Sequence, residues 1–192
     1  SAPFHNIRSQ ITNLQFGKNV ERIPGFMLSG MNNATIHNKP ASSKVLHPNN
    51  QIYYTTTNGQ IIDFSCSNAN VVSNTYNGVG VITMDKPICS IEDSKFNNNT
   101  TLQTIVLPSS VKSIGQAAFS GCHSLQSVNL GDSVTQIGNY AFNQCYALSS
   151  LYIPKTMSKL GLEAVENTKW FQQHGQGVVY VGAILYKYNG DM

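Results

Sequence analysis

From residue 79 to residue 170 the apolar positions return at a fixed interval. Leu102, Ile105, Leu107, Val111, Ile114, Ala118, Phe119 and Cys122 are matched 23 positions later by Leu125, Val128, Leu130, Val134, Ile137, Ala141, Phe142 and Cys145. A third copy carries Leu148, Leu151, Ile153, Met157, Leu160, Ala164, Val165 and Thr168, with the Phe and Cys of its last turn lost. Backwards by the same step lie Val79, Ile82, Met84, Ile88, Ile91, Phe96 and Asn99, so four consecutive coils fill 79–170. An isolated copy, one residue out of phase, runs through Ile11, Leu14, Phe16, Val20, Ile23, Met27 and Met31. Residues 34–78 then read as an insertion.

Within one copy the period changes. The alternation through Ile105 and Leu107 predicts a short strand that Pro108 ends, and Ile114-Gly115-x-x-Ala118-Phe119-x-x-Cys122 brings apolar residues round on a helical turn near 116–121, repeated near 139–144. Strands are expected at 104–107, 127–130 and 150–153. One coil cannot hide its apolar side alone, whereas coils stacked at the strand spacing of about 4.8 Å align Phe96, Phe119 and Phe142 in a ladder and form a continuous core. Gly115, Gly138 and Gly161 recur once per copy and suggest a tight bend. Cys122 and Cys145 fall on the inward side of neighbouring coils with parallel side-chain directions, which favours buried thiols over a disulfide.

The repeat Leu102-x-x-Ile105-x-Leu107-Pro108-x-x-Val111-x-x-Ile114-Gly115-x-x-Ala118-Phe119-x-x-Cys122 resembles that of the BspA-like leucine-rich repeat family, closely over 79–170 and moderately over 11–33. The resemblance implies a right-handed leucine-rich repeat solenoid, β-rich with short helical turns and interrupted by β-hairpins. It also implies a secreted or cell-surface, non-catalytic protein that binds other proteins or host components. The chain departs from the family in being short, in losing the Phe and Cys at Val165 and Thr168, and in its long insertion.

Four segments follow: an N-terminal repeat or cap (1–33), the insertion (34–78), the stacked repeats (79–170) and a C-terminal hairpin (171–192). Residues 34–51 are rich in Asn, Ser, Pro and His and read as loop. Ile52 to Ile62 holds two β-branched and aromatic runs around Asn58-Gly59, a strong hairpin signal. A second hairpin is expected at 178–188, packed over the last coil through Trp170 and Phe171, with an outer edge open to self-association.

Composition narrows the chemistry. Charged residues are only 11% of the 192, against roughly a quarter in an average soluble protein, and the formal net charge is +3, so a phosphate-binding surface for nucleic acid is not expected. Solubility rests on uncharged groups, including 21 Asn. The longest apolar stretch, Val178–Tyr186, falls well short of the ~18 residues of a membrane span. The opening Ser1-Ala2-Pro3 has no basic, apolar leader, as in a segment whose secretion signal has been removed.

The five His show no metal-ligand spacing, the four Cys form no Cys-x-x-Cys pair, and no cofactor motif is present. Glu163 and Glu166 are three apart and fit a solvated face rather than an acid–base pair. Neither a catalytic site nor a metal site is therefore expected. What remains is the outward side of the strands, where Val81, Thr83, Thr104, Val106, Ser127, Asn129, Ser150 and Tyr152 form a nearly uncharged ladder. Such a surface suits a protein or glycan partner, for example on a host surface or matrix, because repeat arrays bind across this face and Tyr favours interfaces. The alternatives are a spacer that presents the insertions, and a glycan hydrolase, which needs paired carboxylates roughly 5–10 Å apart across a cleft.

Overall fold

The computed structural model describes residues 48–173 in full and the backbone of 13–15, 35–37, 174, 177–181 and 184–189. At the N-terminal end, β1 (Asn13–Gln15) pairs in parallel with β2 (Thr35–His37), Leu14 opposite Ile36. That 22-residue step is a coil spacing, so Thr35–His37, expected as loop, is a strand. The rest of the isolated copy at 11–33 lies outside the described residues.

The insertion contributes strands to the sheet of the repeats. β3 (Gln51–Thr56) and β4 (Val71–Tyr76) of the insertion enter one sheet with β5 (Gly80–Met84) of the first coil and with the coil strands β7 (Leu102–Val106), β9 (Ser127–Asn129) and β11 (Ser150–Tyr152). The order is β11-β9-β7-β3-β5-β4. β7, β9 and β11 run parallel in 23-residue register, while β3 runs antiparallel between β7 and β5.

This corrects the hairpin expected over Ile52–Ile62. The turn at Asn58-Gly59 forms, with Gly59 at φ 68° and Thr56 Oγ1 donating to the Gln60 carbonyl at 2.9 Å. The chain beyond it does not pair back, because β5 and β7 occupy both edges of β3. Tyr54 fits this position: its ring lies against Gly80, where a Cβ would come 2.1 Å from ring carbon. Its hydroxyl donates to Asn74 Oδ1 at 2.7 Å and accepts the Ile62 N–H at 3.3 Å, so the buried phenol is paired.

A second parallel ladder joins β6 (Ser90–Ile91), β8 (Ser113–Ile114), β10 (Gln136–Ile137) and β12 (Lys159–Leu160), again 23 residues apart. The expected helical turns are runs of β-turns instead. Ser94, Ala117, Tyr140 and Glu163 have positive φ, and so do Asn98, Gly121, Gln144 and Asn167, two left-handed positions per coil. These break helical continuity and let alternate N–H groups reach the next coil. Ala117, Phe119 and Gly121 donate to the carbonyls of Asn139, Ala141 and Asn143 at 2.8–2.9 Å.

The core between these segments is the apolar set of the repeat. Phe96, Phe119 and Phe142 stack at 5.0 and 5.1 Å, and Phe64 from the insertion extends the ladder at 5.6 Å. Neither Gly115, Gly138 nor Gly161 has positive φ, so the expected bend is not what requires them. A Cβ on Gly138 would lie 2.6 Å from Gln116 N, and one on Gly161 2.3 Å from Asn139 N, so coil-to-coil approach excludes a side chain. The stack ends in a short helix α1 (Lys169–His174), with Phe171 in the core and Trp170 packed partly buried against it. The expected C-terminal hairpin forms from β13 (Gly177–Val181) and β14 (Ile184–Asn189), and β14 lies beside β12.

Candidate functional site

Alternation along β7, β9 and β11 turns Ile105, Val128 and Leu151 into the core and leaves the residues between them on the other face. Register then aligns Thr104 with Ser127 and Ser150, and Val106 with Asn129 and Tyr152. Six of the eight ladder residues expected from sequence are contiguous. Val81 and Thr83 share the face but are separated from them by β3, with Tyr53 between Val81 and Val106 and Gln51 opposite Thr83.

The interposed strand changes the chemistry of this half. Thr55 Oγ1 and Thr104 Oγ1 are hydrogen-bonded at 2.7 Å, Gln51 Nε2 donates to Thr83 Oγ1 at 3.2 Å, and Tyr53 donates its hydroxyl to Gln51 Oε1. Tyr53 is 6% exposed although it lies outside the core cluster, and burial pushes its phenol above the usual range. The accessible half is at β9 and β11, where Asn129 and Ser150 are exposed and Tyr152 is half exposed. Asn129 Oδ1 accepts the Gly131 N–H at 2.9 Å, and the Tyr152 hydroxyl donates to Asp132 Oδ1 at 3.1 Å, placing one carboxylate on the rim.

Gln51, Tyr53, Thr55 and Asp132 were missed by sequence reasoning. The alternation of Tyr53 and Thr55 against Ile52 and Tyr54 was visible, but not which strands would flank it. A recess of about 340 Å³ lies elsewhere, on the second ladder, floored by Gly115, Gly138 and Gly161 and lined by Asp93, Gln136 and Lys159. Among the described residues no three His, Cys, Asp or Glu gather to hold a metal ion, and no helix is long and apolar enough to cross a membrane. Glu163 Oε2 accepts the Asn143 amide at 3.3 Å.

The 23-residue register, the inward Phe and Cys columns and the glycine column coincide with a match to the BspA type leucine rich repeat region, in six copies over residues 75–174. The chain belongs to this BspA-type family. The family suggests a repeat-based binding or structural module. The chain is similar to a crystal structure of a leucine-rich repeat protein of T. pallidum (31% identity, TM-score 0.41, 42% of this chain and 37% of that one). A second similarity is to a leucine-rich repeat protein of Bacteroides capillosus (30%, TM-score 0.40, 44% and 59%), and a third to one of Bacteroides ovatus (17%, TM-score 0.27, 84% and 42%). The chain thus spans 37–59% of the length of these proteins. No curated protein matches it.

Proposed function

We propose that this BspA-type chain is a non-catalytic binding module, acting outside the cell at a surface or in secreted form, that recognises a protein or glycan through the outward face of β7, β9 and β11. The observation that carries the reading is the register of Thr104, Ser127 and Ser150 beside Val106, Asn129 and Tyr152. Three strands present hydroxyls, an amide, one apolar side chain and one half-exposed aromatic without a charge in the rows. Such a face is matched by an uncharged polar partner, and Tyr152 supplies the flat amphipathic surface that interfaces and sugar rings favour.

The test is retention of matrix proteins, mucin and arrayed glycans by the immobilised chain. A partner held by the native chain should bind about tenfold more weakly to a Ser127→Ala, Asn129→Ala, Tyr152→Ala variant, the scale of losing one anchor. Undiminished binding by that variant, or no retention at all, removes the reading. The spacer alternative predicts that binding instead follows changes in the exposed Asn58-Gly59 turn. Deleting 34–78 cannot make this distinction, because it would strip Ile52, Tyr54 and Phe64 from the core.

A further inference from the structure

The six-stranded sheet ends in β11 at one side and β4 at the other. Past β11 the chain runs into α1, with the Trp170 N–H donating to the Leu148 carbonyl at 2.6 Å and Phe171 in the core. At the other side β4 is outermost, hydrogen-bonded among the described strands to β5 alone. An antiparallel ladder spends the N–H and C=O groups of alternate residues on each neighbour, so half of those on β4 face away from the sheet. Edges are usually blunted by charge, proline or a bulge. β4 (Val-Val-Ser-Asn-Thr-Tyr) has neither charge nor proline, and its bulge is confined to Val71–Ser73, leaving Ser73–Tyr76 in regular register.

Two further observations mark this edge. It is apolar where it is most open: Val72 is 66% exposed and Val71 37%, and Ile61, 56% exposed, adjoins Ile62, whose carbonyl accepts the Asn74 amide at 2.7 Å. It is also held in place from behind. Asn74 accepts the Tyr54 hydroxyl, and the Tyr76 hydroxyl accepts the Thr56 N–H at 3.3 Å, so little ordering remains to be done on pairing.

We propose that β4 is a homodimerisation edge, on which β4 of a second copy pairs antiparallel across a two-fold axis to make one continuous sheet. Only an extended backbone satisfies alternating N–H and C=O groups. A two-fold brings the same uncharged strand to itself, so no like charges meet. A two-fold contact is isologous and uses the β4 edge of both copies, so it stops at two copies rather than growing into a filament. A single strand pair covers less area than a permanent dimer needs, so the association is weak and reversible.

Sedimentation velocity of the 192-residue chain from about 10 to about 500 µM tests this, the range in which an interface of low area assembles. A concentration-dependent dimer is expected, and a Val72→Lys, Ser73→Lys variant, altered only at exposed edge positions, should remain monomeric at every concentration. Hydrogen exchange on the native chain gives an independent reading: amides within 71–76 should gain protection as concentration rises. A native chain that stays monomeric at the top of the range, a variant that still dimerises, or a dimer whose new protection lies outside 71–76 each overturns the proposal.

Discussion

Thr168 caps the helix that ends the stack, its hydroxyl accepting the Phe171 N–H at 2.9 Å while donating to the Val165 carbonyl at 2.7 Å. The same position in the two preceding coils is Cys122 and Cys145, whose thiols donate to the carbonyls of Phe96 and Phe119, each at 3.0 Å. The loss of the repeat Cys is therefore a change of task. A hydroxyl both donates and accepts, so it can start a helix where a thiol closes another turn.

Replacing Thr168 with Ala should lower unfolding free energy by about 1–2 kcal/mol, since it removes an N-cap and leaves the N–H of a buried residue unpaired. Thr168→Ser keeps the cap and should recover most of it. Denaturant unfolding of the three chains checks the order.

The phenylalanine ladder makes a graded prediction. Phe119 and Phe142 are fully buried, so changing either to Ala should cost about 3–5 kcal/mol, and a loss below about 1 kcal/mol would contradict its place in the core. Phe64 has a ladder ring on one side only, and Phe64→Ala should cost less than Phe119→Ala in the same assay.

All four described cysteines are free thiols, Cys89 exposed, Cys66 partly buried, and Cys122 and Cys145 buried. The adjoining Cys122 thiol and burial push the Cys145 thiol far above the usual range. Timed alkylation followed by mass spectrometry should modify Cys89 first, and Cys122 and Cys145 only on unfolding. A peptide pair joined through Cys122 and Cys145 in the non-reduced protein would contradict this.

Glu92 links the insertion to the first coil. The Ser67 hydroxyl and the Ser67 N–H, the latter at 2.6 Å from Oε1, together with Lys95 at 3.0 Å from Oε2, hold its carboxyl down to about 2. A depressed folded pKa means that this stabilisation is complete above the ordinary value of 4.5 and is lost as pH falls towards about 2. Glu92→Gln should therefore be less stable than the native chain at neutral pH, and its unfolding midpoint should fall less steeply between about pH 4.5 and pH 2.

How far the sequence could be read follows from the range of the forces involved. The 23-residue recurrence of Leu107, Val111, Ile114, Phe119 and Cys122 was sufficient for the coil, because each must be buried and one coil offers no other way to bury all of them. Alternation also placed Thr104, Ser127, Asn129 and Tyr152 outward, since side chains on a strand change face at every residue. The tertiary structure alone decided where β3 goes. Pairing across 26–53 residues depends on which edges are open and on fits such as the Tyr54 ring over Gly80, and a local Asn-Gly turn signal carries neither. That one insertion separates Val81 and Thr83 from the coil ladder, brings Tyr53 into the face and leaves β4 outermost. Periodicity records what each residue needs to bury, whereas strand order is set by the competition of distant segments for the same edge.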